Sequence, residues 1–110
     1  MCGVSVSAMG YSITDLMQLV VAERGEAVHL YPNEAPVLEV QRVLHRIEGP
    51  RLEATETDQL LRVVASEDDL LELRTNGLSC FYYHLGDSAV FQVMAFREDG
   101  HVRLELRRFR

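Results

Sequence analysis

The sequence predicts an α+β domain built on an antiparallel sheet, and three observations lead there. Apolar residues at helical spacing occur near the start and in the middle of the chain. Two-residue alternation dominates the last third, where Gly86-Asp87 and Asp99-Gly100 are turn dipeptides between strand-forming runs. Helices grouped ahead of hairpin-connected strands imply antiparallel pairing, not a parallel doubly wound sheet. With 110 residues, 47% hydrophobic and 25% charged, the chain has the make-up of one globular domain. Such a domain buries roughly two thirds of its unfolded surface.

The elements follow in order. Ser12 and Asp15 make a capping pair before Ile13, Leu16, Met17, Leu19, Val20 and Val21, and Gly25 supplies the stop, so a first helix is expected from about Ile13 to Arg24. Ala27 to Tyr31 is a short strand. Pro32-Asn33 turns the chain into Val37 to Ile47, which alternates as a second strand until Gly49-Pro50. Two cap signals, Thr55 with Asp58 and Ser66 with Asp69, predict helices near Glu56 to Ala65 and Glu67 to Thr75, ended by Asn76-Gly77. Leu78 to Leu85 is an aromatic strand.

Ala89 to Arg110 then forms a long hairpin, with Ala89, Phe91, Val93 and Ala95 on one arm and Val102, Leu104, Leu106 and Phe109 on the other. The order is α-β-β-α-α-β-β-β, with about five strands in the sheet. Residues 12–110 are expected to be a single domain preceded by a flexible segment, residues 1–11.

The return arm of that hairpin is basic. Arg103, Arg107, Arg108 and Arg110 alternate with or flank the apolar set, so one face packs on a core and the other displays guanidinium groups. Arg103, Arg107 and Arg108, with Arg97 next, are the candidate interface residues. A solvated strand face is the plainer account of the same pattern.

Charge and composition exclude several classes. A net charge of -6 argues against general nucleic-acid binding, which needs a concentrated basic surface. No apolar run approaches membrane-spanning length, and MCGVSVSAMG lacks the basic and apolar regions of a secretory signal. A cytoplasmic location is expected. The two cysteines, Cys2 and Cys80, show neither disulfide-framework nor metal spacing.

His29, His45, His84 and His101 are scattered without zinc-like spacing, and structural hydrogen bonding is the usual outcome for His29 and His84 within strands. The acidic clusters at Glu56-Asp58 and Glu67-Asp68-Asp69 complement the positive ends of helices. All eleven basic residues are arginine, so the chain has no lysine for a phosphate-gripping loop. No catalytic residue, cofactor or metal is expected. Met1-Cys2-Gly3-Val4 looks like the start of amidotransferases with an N-terminal cysteine nucleophile, and Arg74 to Gly77 could be imagined in an oxyanion site. The chain is too short for that family's domain.

The helix SITDLMQLVVAERG, the segment EAVHLYPNEAPVLEVQRVL and the hairpin AVFQVMAFREDGHVRLELRRF, taken together, resemble the N-terminal domain of the PilT family. These are the type IV pilus retraction, or twitching-motility, ATPases, relatives of the type II secretion ATPases. The resemblance covers about Ser12 to Phe109, and the order and spacing of its motifs carry it. His29 and Leu30 match the family's strand, as do Phe91, Val93, Ala95, Phe96 and Arg97 in the hairpin and Leu106, Arg107 and Arg108 at its exit. Ala27 replaces an aspartate, and Gln41-Arg42 replace an Asp-Gly turn. Val90 and Gln92 stand where the family carries two arginines that bring positive charge towards nucleotide, and Met94 replaces an asparagine.

The resemblance implies a PAS-like fold that packs within oligomeric motors. It also implies a non-catalytic protein-protein interaction and oligomerisation module in a type IV pilus or secretion setting. Two alternatives stand beside it. One is a PAS-like small-molecule sensor with a pocket lined by Phe81, Tyr83, Phe91 and Phe96. The other is a secretion-chaperone-like dimer that holds an extended client on an apolar patch.

Overall fold

A computed structural model describes residues 11–109 of the protein. Most of the expected flexible segment, including Cys2, lies outside the described residues, as does Arg110. Helix α1 spans Ile13–Ala22, strand β1 Ala27–Leu30, β2 Val37–Val40 and β3 Val43–Arg46. Helices α2 (Ala54–Val64) and α3 (Glu67–Asn76) follow, then β4 (Leu78–Leu85), β5 (Ala89–Glu98) and β6 (His101–Phe109). All six strands join one antiparallel sheet in the order β3-β2-β1-β6-β5-β4. The α+β class and the order of helices and strands are as the sequence predicts.

The sheet has one strand more than expected, because Val37 to Ile47 breaks into the β2–β3 hairpin. Its two loop residues, Gln41 and Arg42, have φ of 51° and 66°. Two-residue hairpin loops need such values, and they normally call for Asn-Gly or Asp-Gly. A distant side chain holds the loop instead. The Glu26 carboxylate accepts from both loop amides, Gln41 N–H at 3.0 Å and Arg42 N–H at 3.0 Å. The anionic acceptor offsets part of the cost of left-handed backbone at two residues that have Cβ atoms.

Cap chemistry sets two of the helices as expected. Ser12 Oγ accepts from Asp15 N–H at the start of α1, and Ser66 Oγ accepts from Asp69 N–H at 3.1 Å at the start of α3. Gly77 ends α3 in the left-handed conformation, φ 77°. Helix α2 departs from expectation: it is capped at Glu53, whose N–H donates to the Glu56 carboxylate at 2.7 Å, and Thr55 sits inside its first turn. The fully buried Leu52 fixes this earlier start. Its N–H donates to Glu34 C=O at 2.9 Å and its C=O accepts from Asn33 N–H at 2.6 Å, tying the chain to the β1–β2 loop just before the helix begins.

One face of the sheet carries the core. Val28, Leu30, Leu38, Phe91, Val93, Ala95, Val102, Leu104 and Leu106 are buried there with Ile13, Leu16, Met17 and Val20 of α1, Leu60 and Leu61 of α2 and Leu73 of α3. Each large side chain removed from water in this way is worth about 1.5–3 kcal/mol. The register brings them together: Leu106 lies between Val28 on β1 and Val93 on β5, and Leu104 between Leu30 and Ala95.

The expected apolar set of β6 needs one correction. Phe109 is odd-numbered, so strand alternation puts it on the face opposite Leu104 and Leu106, and it is 52% exposed.

Candidate interaction surface

The sheet's second face is built from the alternate residues of the same strands. Across β4, β5 and β6 the register aligns Leu78 with Phe96 and Arg103, Cys80 with Met94 and Glu105, and Tyr82 with Gln92 and Arg107. Across β6, β1 and β2 it continues from Glu105 to His29 and Val37, and from Arg107 to Ala27 and Glu39. The surface therefore divides into an apolar half towards β4 and a charged half over β6, β1 and β2.

The charged half is a closed ring of four side chains. His29 Nε2 lies 3.0 Å from Glu39 Oε1, and Nδ1 lies 3.7 Å from Glu105. Arg107 closes the ring, donating from Nε to Glu105 at 2.7 Å and from its terminal nitrogen to Glu39 at 3.1 Å. The His29 hydrogen bond, with Arg107 adding to it, holds the Glu39 carboxyl below its usual value despite a partial burial that pushes it up. Arg107 is pushed above its usual value, first by its hydrogen bond to Glu105 and then by Glu39, against the effect of burial.

The apolar half is less covered. Tyr82 and Phe109 meet edge to face with ring centroids 5.0 Å apart, and both are more than half exposed. Leu78 is exposed on the same side. At the boundary of the two halves the Arg103 guanidinium lies 4.4 Å over the Phe96 ring and 5.9 Å from that of Tyr31. Its Nε, out of contact with solvent, has no hydrogen-bond partner and stands 3.8 Å from Glu98.

The four candidate arginines are thus not one row. Arg103 and Arg107 share the second face. Arg97 and Arg108 pair in register with Val102 and Phe91, on the side that carries the helices. Arg107 is committed within the chain, whereas Arg103 stacks on an aromatic ring at the surface. The sequence pattern of Arg103, Glu105 and Arg107 at two-residue spacing already hints at a charged strand face. The contribution of Glu39 needed the β1–β2 register, which no local pattern encodes.

The aromatic set proposed for a sensor pocket is also divided. Phe91 is fully buried and Phe81 and Tyr83 pack against the same core, while Phe96 faces the other way beneath Arg103. His29 makes the hydrogen bond expected of a strand histidine. Gln92, where the resembled family has an arginine, lies opposite Arg107 and donates to Cys80 Sγ at 3.3 Å.

No protein-family model and no curated protein matches the chain. Solved structures do. The pilus retraction motor PilT with bound ADP is 22% identical, with a TM-score of 0.81 over 88% of this chain and 29% of that one. The ATPase DotB of Legionella pneumophila is 17% identical, with a TM-score of 0.73 over 91% of this chain and 30% of that one. The corresponding values for the Yersinia pseudotuberculosis DotB are 16%, 0.67, 88% and 29%. The chain spans less than a third of the length of each. At these identities the likeness is one of fold: the chain has the architecture of a domain-sized part of the pilus retraction motor PilT and of the DotB ATPases.

Proposed function

We propose that the chain is a protein-protein interaction and oligomerisation module of the kind carried by pilus retraction and secretion ATPases, and that its uncovered sheet face is the contact surface. The observation that carries this reading is the apolar half of that face, where Tyr82 and Phe109 are exposed against one another and Leu78 is exposed further along β4. Exposed aromatic residues beside an arginine are the composition of interface hot spots. Arg103, already stacked on Phe96, is the cation best placed to take part.

The module works without hydrolysing nucleotide itself. Its 110 residues contain no lysine for a phosphate loop, and Val90 and Gln92 replace the cations that the resembled family brings towards nucleotide. Its partners are further copies of itself within a pilus or secretion assembly in the cytoplasm.

Sedimentation equilibrium tests the reading. Wild type is expected to exceed its monomer mass of 12.5 kDa in a concentration-dependent way. Arg103→Glu combined with Tyr82→Glu returns it to the monomer. A wild type that stays monomeric at all concentrations, or a double variant that associates equally well, overturns the proposal.

A further inference from the structure

A separate constellation lies on the helix-bearing side of the sheet. The facing surfaces of α2 and α3 and the β5–β6 turn enclose a cleft of about 560 Å³. Its floor includes the buried Leu73 and Val102. Arg62, Arg74 and Arg97 all line it, one from each of three different elements.

Each arrives there for a local reason. Arg62 is in the last turn of α2 and Arg74 in the last turn of α3, where cations complement the negative end of the helix dipole. Arg97 pairs with Val102 in the sheet, and its N–H donates to Gly77 C=O at 3.0 Å, which brings the tip of the hairpin against the end of α3. Three arginines from separate elements therefore line one space in a chain whose net charge is -6.

Their charge is poorly matched within the chain. Asp58 is the one carboxylate lining the cleft, and it is bound to Arg62 Nε at 2.8 Å. Among the described residues, neither Arg74 nor Arg97 makes an ion pair. Like charges held around a common cleft focus a positive potential that an anion relieves.

We infer that this cleft binds a small multivalent anion bearing phosphate or carboxylate groups. Guanidinium forks bind both groups bidentately, and the volume falls in the range of about 300–1,000 Å³ usual for small-molecule sites. The leucine and valine floor gives the organic part of the ligand an apolar contact. The site is independent of the interface proposed above, which lies on the opposite face of the sheet.

Calorimetric titration of the protein with sodium pyrophosphate, and separately with citrate, at low ionic strength tests the inference. Saturable binding with one anion per chain is expected for at least one of the two, and the comparison tells phosphate from carboxylate. Arg74→Ala and Arg97→Ala are each expected to weaken it by about tenfold or more, a loss typical of one charged hydrogen-bonding partner. Arg97→Lys, which keeps the charge but not the fork, is expected to bind more weakly than wild type. Arg46→Ala, on the distant strand β3, is expected to leave binding unchanged. Absence of saturable binding for both anions, or an equal loss in Arg46→Ala, overturns the inference. Thermal midpoints without anion confirm that these exposed positions tolerate the changes.

Discussion

Glu39 lies at the crossing of three strands, its carboxylate shared by His29 at 3.0 Å and Arg107 at 3.1 Å. Because its pKa is lower in the folded protein than the ordinary 4.5, the ionised form favours folding. That contribution is complete above the ordinary value and is lost as the pH falls through the lower, folded one. Glu39→Gln is expected to cost about 1–3 kcal/mol near neutral pH. The gap between the two thermal melting curves should narrow below about pH 4.5; a gap that is constant down to pH 3 would deny the carboxylate this role.

At Arg42 the conflict is between backbone and side chain, since φ is 66° at a residue with a Cβ. Arg42→Gly removes that cost, and a denaturant titration should show a gain of about 1 kcal/mol. Neither interaction could be read locally. Glu26 reaches its two amides 15 and 16 residues away, and nothing in the dipeptide Gln41-Arg42 announces a turn.

At the scale of elements, legibility followed the chemistry of the ends. Ser12 and Ser66 are short hydroxyl side chains that accept from backbone amides, and the helices they begin start where the sequence puts them. Glu53 is an uncommon cap, and Thr55 with Asp58 imitated the usual signal two residues too late; the buried Leu52 decided the matter through contacts far along the chain. Helix α3 has Leu73 as its one buried residue, so its ends count for much of its stability. Ser66→Ala should therefore cost about 1 kcal/mol, with increased amide exchange along α3 and little change in α1. Uniform exchange through the molecule would show that the cap acts only on global stability.

Strand β6 shows the limit of alternation as a guide. Val102, Leu104 and Leu106 read correctly, but Arg107, Arg108 and Phe109 shift the sequence pattern while the backbone keeps its period of two. Arg108 therefore follows the core face and Phe109 the open one.

For the whole molecule, the class, the order of helices and most of the core were legible because each rests on periodicity within a short window. Sheet order was not, since β6 inserts between β1 and β5 through pairings that join opposite ends of the chain, such as Val28 with Leu106. The proposed contact surface depends on that order. Only when β1 lies beside β6, with β2 on its far side, do His29 and Glu39 meet Arg107 and engage the cation that the sequence offered as free. What remains uncovered is the aromatic margin at β4.

A concentration series of amide NMR spectra, in which self-association shifts the residues at the contact, tests the proposed surface most directly. Between dilute and concentrated wild-type protein, changes are expected to cluster at Leu78, Tyr82, Phe96, Arg103 and Phe109, leaving α1 unmoved. Changes centred on the helices, or spectra that do not depend on concentration, would contradict the assignment of the open sheet face as the surface through which this module assembles.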